Sequence, residues 1–279
     1  MNRLLCGQVS KLQSIYKALP RVPCNLILAG LLDYQFMELN ADLGESWYAR
    51  KVGDDTGLMP FLDACNVACG FHGGDALTMV RAIDLALRHG VAIGAHPSFP
   101  DRKHFGRRSL DLPVDHLRAL LLYQVSALDG MVRAAGSSLT HLKPHGALYH
   151  YADRHRPAAA AIVQVMEQLQ VPTLYGPPGG ELSAAADMAG LQFYAEGFVD
   201  RRYEPDLRLR SRDLPGASID DPAEAAEQAR ALLREGRVMA SDGQRYPLRV
   251  RTLCLHGDHP GAVDRARAVR MVLDRTERA

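Results

Sequence analysis

The sequence lacks the features that mark several classes of protein. Its 279 residues include one tryptophan and five cysteines, and its formal net charge is +1. A net charge near zero, without blocks of like charge, gives no electrostatic basis for binding nucleic acid or an anionic membrane. The apolar stretch at residues 24–32 is too short to span a bilayer. We therefore expect neither a nucleic-acid nor a membrane partner.

Several sequence motifs are missing as well. The chain has no Walker A loop, so it does not itself indicate how ATP would bind, and it has no G-x-S-x-G nucleophile elbow. Its cysteines lack zinc-ribbon spacing, and Cys65 and Cys69 lie in an apolar stretch typical of buried, reduced thiols. Residues 24–32 lie too deep in the chain, and lack the cleavage pattern, for a signal peptide. Cytoplasmic residence is the resulting expectation.

From Met37 onward, short apolar runs alternate with longer amphipathic ones, which indicates repeated βα units. No linker divides them, so we predict one domain over residues 37–279. We interpret residues 1–36 as an N-terminal extension, non-native or disordered, with translation starting at Met37. The predicted strands are Met37–Leu43, Ala64–Cys69, Val91–Ala95, Leu139–Lys143, Thr173–Tyr175, Gln192–Ala195 and Thr252–His256. The predicted helices are Asp75–His89, Pro113–Ala135, Pro157–Gln168, Gly180–Met188, Pro222–Arg234 and Gly261–Arg275.

Polar signatures follow at least five of these strands. An open parallel sheet concentrates its ligands at one switch point, whereas a barrel collects side chains from every strand end. The fold class that we predict is therefore α/β, as a single-domain, seven-stranded (β/α) TIM-like barrel. Two long segments, Pro97–Leu112 and Phe198–Ser218, interrupt the βα rhythm, and we expect both to form ordered lids over the barrel mouth.

Three of the polar residues have the chemistry of a metal site. Asp42, His72 and His96 lie at or just beyond three successive strand ends. One carboxylate and two imidazoles can hold a divalent metal with a position left open. The same residues could instead hydrogen-bond the backbone at strand ends, so the pattern leaves open whether a metal binds.

A second group is suited to acid–base chemistry and anion binding. Lys143 precedes a proline, which ends its strand sharply and directs the lysine to the barrel mouth, where it suits a phosphate or carboxylate. His145 can transfer protons near neutral pH. Asp258 could act as a general base or support a metal site, and Tyr149 could contribute a hydroxyl.

These signatures resemble the LamB/YcsF family of ATP-dependent 5-oxoprolinase A subunits. Six motifs occur in the expected order and span nearly all of residues 37–279. Ser46, Gly73 and Ser98-Phe99 depart from the usual pattern and affect only loop detail. The matching stretches are Leu39–Glu45, Asn66–His72, Val91–Pro97, Phe105–Arg108, Lys143–Tyr149 and His256–Asp258.

The resemblance implies a barrel of the glycoside hydrolase and carbohydrate deacetylase type. It also implies cleavage of 5-oxo-L-proline to L-glutamate, coupled to hydrolysis of ATP as co-substrate, in a complex with B and C subunits. On this basis Asp42, His72 and His96 are metal candidates. The catalytic candidates are His145, Asp258 and Lys143, and the candidates for binding the small-molecule substrate are Asn66, Arg107, Arg108, Tyr149 and His256.

Two other functions are consistent with the same residues. An independent metal-dependent deacetylase of acetylated sugars would also use an Asp/His/His cluster. Alternatively, the chain could be a substrate-binding subunit whose chemistry lies in its partners. The number of ionisable groups at strand ends favours an active role.

Overall fold

The computed structural model describes residues 37–277, with side chains to residue 274. The predicted N-terminal extension, residues 1–36, lies outside the described residues. The barrel strands are β1 Glu38–Leu43, β2 Ala64–Ala68, β3 Ala92–His96, β4 His141–Leu142, β5 Thr173–Gly176, β6 Gln192–Phe198 and β9 Thr252–His256. These seven parallel strands form a closed barrel in the order β1-β2-β3-β4-β5-β6-β9. The predicted single-domain, seven-stranded barrel is confirmed.

Six helices pack between the strands close to their predicted bounds, and two shorter ones were not among the predicted elements. The longer helices show the expected end signals. One begins with the Asp75 side chain accepting from the Thr78 N–H and ends at Gly90 with φ of 68°. The helices are α1 Asp55–Leu58, α2 Ala76–His89, α3 Val114–Ala134, α4 Gly146–Ala152, α5 Arg156–Leu169, α6 Glu181–Ala189, α7 Pro222–Glu235 and α8 Ala262–Glu277.

A small antiparallel hairpin, also absent from the predicted elements, leaves the barrel after α7. Its strands are β7 Arg237–Met239 and β8 Arg245–Pro247. The Asp242-Gly243 dipeptide in its turn, with Gly243 at φ of 78°, was the available sequence signal. No helix within the described residues is long and apolar enough to cross a membrane.

The alternation of side chains along β1 separates two kinds of interior. Leu39, Ala41 and Leu43 belong to the hydrophobic core beneath the helices. Asn40 and Asp42 point the other way, since their side chains contact residues of other strands across the barrel. The barrel centre is therefore polar, and polar side chains line it up to the carboxyl end of β1.

Register also explains which functional residues become neighbours. Asp42 on β1 is paired with Asn66 on β2 and with His256 on β9. Ala68 on β2 is paired with His96 on β3, at the last position of that strand. Parallel strands thus bring distant polar residues to one end of the barrel, where α/β barrels place their sites.

Candidate functional site

A buried hydrogen-bond network centred on Lys143 fills the barrel. The Lys143 ammonium donates to Asp42 Oδ1 at 2.9 Å and to Cys254 Sγ at 2.9 Å, and it lies 3.0 Å from Glu196 Oε1. Its three N–H groups are therefore matched by three partners. Burial disfavours the charged form of Lys143. The combined attraction of Asp42, Cys254 and Glu196 is larger than this effect, so the pKa of Lys143 is raised well above its usual range.

Amide side chains extend this network across the strands. Asn66 donates to Asn40 Oδ1 at 2.7 Å and to Asp42 Oδ1 at 2.8 Å, and its own oxygen lies 2.8 Å from His141 Nε2. Asn40 donates to Glu196 Oε1 at 3.0 Å. Asn66, predicted to bind substrate, thus lies in the network beneath the mouth and does not line the cavity above it.

Four side chains form a separate buried cluster nearer the mouth, which we call the histidine cluster: Glu45, His72, His96 and His145. One donor atom from each lies within 4.8 Å of the others. The rings of His72 and His145 stack with centroids 3.6 Å apart, and His72 Nε2 lies 3.1 Å from Glu45 Oε1. Burial lowers the pKa of His72 and His145 well below the usual range, which keeps both rings neutral.

The hydrogen bonds of two rings fix where their protons are. His96 Nδ1 lies 2.7 Å from the Lys143 carbonyl oxygen, and His145 Nε2 lies 2.8 Å from that of Phe105. Because a carbonyl only accepts, both nitrogens must donate. The remaining nitrogens, His96 Nε2 and His145 Nδ1, then face each other at 2.9 Å. Two lone pairs at this distance need a shared proton or a cation beside them.

The histidine cluster could hold a metal ion. Backbone carbonyls that accept from the far nitrogens of His96 and His145 fix the tautomers in which metal-binding histidines are usually held. His72 Nδ1 is buried without a hydrogen-bond partner among the described residues. Asp42 Oδ2 lies 3.3 Å from His96 Nε2, beside the cluster, but Asp42 groups with Cys254 and His256 as possible ligands. The imidazole-rich donor set suits zinc or iron better than magnesium.

The structure therefore brings the three predicted metal candidates together, and it adds two residues to them. His145, predicted as an acid–base residue, belongs to the cluster itself. Glu45 was not singled out, because it follows the turn at Gly44 (φ of 68°) and not the strand. Its position at the end of the Leu39–Glu45 motif was the available signal. Burial raises the pKa of Glu45 well above its usual range.

A cavity of about 540 Å³ opens above the histidine cluster. Both predicted lid segments contribute to it, through Arg107 and Arg108 on one side and residues 209–213 on the other. Arg107 forms an ion pair with Asp258, which joins the first lid to the loop after β9. Burial opposes the charge of Asp258, but interactions with His256, Arg107 and Arg212 lower its pKa to about 2.

The remaining predicted residues also line this cavity. The His256 ring nitrogen Nδ1 lies 3.0 Å from Asp200 Oδ2, so a buried carboxylate orients the imidazole. The Tyr149 hydroxyl is buried near the Glu196 carboxylate, whose Oε2 is also buried. Burial, reinforced by the nearby Glu196, raises the pKa of Tyr149 well above its usual range. It therefore stays a neutral hydroxyl, able to donate to a ligand.

Comparison with known proteins identifies the class to which this barrel and its site belong. The LamB/YcsF family model matches residues 37–279, and the chain belongs to that family. The 5-oxoprolinase A subunit of Methylococcus capsulatus is 48% identical over 238 residues, covering 85% of this chain and 92% of the relative. The 5-oxoprolinase A subunit of Bordetella pertussis is 42% identical, covering 86% and 95%.

A solved structure supports the same relationship. The lactam utilization protein of Thermus thermophilus superposes with a TM-score of 0.80 at 42% identity. The match covers 86% of this chain and 96% of that protein. The expected family membership is therefore confirmed by sequence and by fold.

Proposed function

We propose that this chain is the hydrolytic A subunit of an ATP-dependent 5-oxoprolinase. It would open the lactam ring of 5-oxo-L-proline to give L-glutamate while ATP is hydrolysed to ADP and phosphate, in a complex with B and C subunits. The observation that carries the proposal is the histidine cluster, whose unsatisfied nitrogens lie under a cation-rich cavity. The names of the relatives supply the substrate class.

The reaction needs activation of a poor electrophile and of water. A divalent ion in the histidine cluster would supply Lewis acidity toward both. His72, His96 and His145, with Glu45, would hold that ion, and Asp42 would lie beside His96. The Tyr149 hydroxyl lies at the cavity wall beside Glu196 and can donate to a substrate oxygen there. His256, oriented by Asp200, can hold or move a proton at the same wall.

The arginines and Lys143 would have different electrostatic roles. Arg107 and Arg108 enter the cavity from the first lid and would contact an anionic substrate. Lys143 also reaches the cavity wall, but its ammonium is bound by the barrel network. Lys143 would therefore contribute to catalysis by orienting Asp42 beside His96 and keeping it ionised. Its positive charge would also attract anions to the barrel mouth.

The test is release of glutamate and phosphate from 5-oxo-L-proline and ATP. Three samples are compared: this chain alone, the B and C subunits alone, and the reconstituted mixture. We expect coupled release only in the mixture. His96→Gln should lower it at least 100-fold, whereas His116→Gln, on the exposed face of α3, should leave it unchanged.

Other outcomes distinguish the alternatives. No release in any sample, with partners shown to be competent, would contradict the proposal. Chelator-sensitive release of acetate from an acetylated sugar by this chain alone would instead establish a deacetylase. Coupled release that is indifferent to His96→Gln would establish a subunit whose chemistry lies in its partners.

A further inference from the structure

The cavity lining carries more positive than negative charge. Six basic side chains face four acidic ones, which leaves an excess of two positive charges when the histidines are neutral. An excess in a half-enclosed space attracts an anion more strongly than the same charges on an open surface. The basic residues are Arg107, Arg108, Lys143, Arg201, Arg210 and Arg212, and the acidic residues are Asp42, Glu45, Asp213 and Asp258.

Three of the six cations already have a carboxylate partner. Lys143 is bound in the barrel network, Arg107 pairs with Asp258, and Arg210 lies 2.8 Å from Glu204. Such pairs leave less charge for a ligand than an unpaired guanidinium does. The cations of the lining without an ion pair in the described part of the chain are the exposed Arg108 and the more buried Arg201 and Arg212.

Arg201 and Arg212 make no ion pair with any carboxylate in the described part of the chain. The Arg201 guanidinium donates to the backbone carbonyls of Arg210 at 2.6 Å and Ala217 at 3.2 Å. Arg212 Nη1 donates to the ring nitrogen of His259 at 2.5 Å. These neutral partners hold each guanidinium in place. The nearby Asp200 carboxylate favours the charged form of both arginines, but the contacts that it makes are with His256 and not with either guanidinium.

Because Arg201 and Arg212 are removed from water, the lack of an anion in contact with their guanidinium groups is energetically unfavourable. Arg201 is only 6% exposed, and Arg212 is half-buried beside it. Burial, and then the charge of Arg212, lower the pKa of Arg201 to about 10. Buried guanidinium groups are normally paired with an anion, because removing a cation from water is unfavourable otherwise. The anion that fits here comes from the cavity.

We propose that Arg201 and Arg212 form an anion site for the phosphoryl group of an O-phosphorylated lactam. The inference rests on the proposed function. Free 5-oxo-L-proline carries one negative charge and a phosphoryl group adds about two more, so a phosphorylated lactam would interact more strongly with these guanidinium groups than the free lactam would. Paired guanidinium groups are well suited to phosphate oxygens. His96 and His145 line the same cavity, so one ligand can reach both the cluster and the arginines.

The site implies an order of reactions. A kinase-type step must act first: the lactam oxygen bonds to the γ-phosphorus of ATP, the bond to ADP breaks, and the lactam nitrogen loses its proton. Water then adds to the ring carbon and the ring C–N bond breaks, which leaves the amine and an acyl phosphate. A second water cleaves that acyl phosphate to glutamate and inorganic phosphate. This chain would receive the phosphorylated lactam.

Binding to the full chain tests the site directly, with inorganic phosphate as the probe in titration calorimetry. We expect phosphate to bind, and Arg212→Gln to weaken it by about 10- to 100-fold, as for loss of a charge-assisted hydrogen bond. Arg208→Gln is the matched control, because Arg208 lies in the same loop, near Asp206 at 3.5 Å, and outside this cavity. Equal phosphate affinity in wild type and Arg212→Gln, or no binding, would overturn the site.

The same titrations identify the occupant. ATP that binds with the same dependence on Arg212 would make this a nucleotide site and overturn the phosphorylated-lactam assignment. In the reconstituted complex, Arg212→Gln should continue to hydrolyse ATP with fewer glutamates formed per ATP, because the intermediate is not captured. Normal coupling would overturn the inference while the proposed function stands. Phosphate binding that depends on Arg212, in a complex without glutamate formation, would instead overturn the proposed function.

Discussion

The Lys143 network and the histidine cluster are both buried and rich in ionisable groups, and one residue, Asp42, joins them. They differ in how far their hydrogen bonds are satisfied by protein atoms. Asp42 Oδ1 accepts from Lys143 and Asn66 in the network, and Asp42 Oδ2 faces His96 in the cluster. In the network, the side-chain donors all meet acceptors, and the atom left without a hydrogen-bond partner in the described part of the chain is an acceptor, Glu196 Oε2. In the cluster, two lone-pair nitrogens face each other at 2.9 Å.

This difference separates a structural role from a ligand-binding one. A network that is satisfied by its own residues holds the barrel together, and removing one member leaves others buried without a partner. A cluster whose hydrogen bonds cannot all be made by protein atoms is completed by something from outside. Polarity and burial alone would not have distinguished the two.

The largest effect is expected from Lys143→Met. The variant leaves the Asp42 and Glu196 carboxylates buried without their cation, which typically costs about 3–5 kcal/mol. Urea unfolding measures the loss, with the exposed Lys103→Met as control, expected within about 0.5 kcal/mol of wild type. A Lys143→Met protein of normal stability that is inactive would show that Lys143 acts on the substrate and not on the barrel.

Metal binding provides the second test. Adding Zn²⁺ to about 100 times its Kd, after chelator treatment, should stabilise the wild type by about 2.7 kcal/mol, or about 5–10 °C in Tm. His96→Gln removes one of the facing nitrogens and should abolish most of this shift, whereas His116→Gln should retain it. If a shared proton completes the cluster instead, Zn²⁺ would leave the Tm of the wild type unchanged.

Sequence patterns predicted the carboxyl ends of six strands within one residue, because short apolar runs there are followed by polar signatures. The prediction for β6 was wrong by three residues, since the strand continues past Ala195 to Phe198. Asp42, His96 and His256 all lie where the alternation places them, and parallel pairing brings them together. Whether the hydrogen bonds of these buried groups are satisfied could not be predicted in this way. The Lys143 ammonium is bound in part by Glu196 and Cys254, which belong to strands far away in the sequence. These contacts depend on the closed barrel and cannot be predicted from the sequence around Lys143.

The lids show a second limit of prediction. Their positions over the mouth were predicted from length and composition. The roles of Arg201 and Arg212 were not, because they depend on backbone carbonyls and a histidine contributed by residues 9 to 47 positions away. Charge pairing in a long loop is a tertiary property, which periodicity does not encode.

Two glycine substitutions should separate the two regions. Gly94→Ala places a methyl group against the His141 ring in the network and should cost about 1–3 kcal/mol of stability. Gly106→Ala, at φ of +65°, places its Cβ 2.8 Å from His145 Cδ2 and should weaken Zn²⁺ binding more than stability. Gly136→Ala, with φ of +80° and no neighbour within 4 Å, measures the backbone cost alone. Equal losses of metal affinity in all three variants would contradict the separation.

The smallest expected effect concerns Asp258→Asn, at the ion pair with Arg107 that fastens the first lid. Because the Arg107 side chain is more than a third exposed, the pair should contribute no more than about 1 kcal/mol to stability. A carboxylate whose pKa is lowered to about 2 is a weak proton acceptor. We therefore expect a severalfold rise in KM with nearly unchanged kcat in the reconstituted assay. If kcat instead fell by about two orders of magnitude, as expected for loss of a general base, Asp258 would be that base.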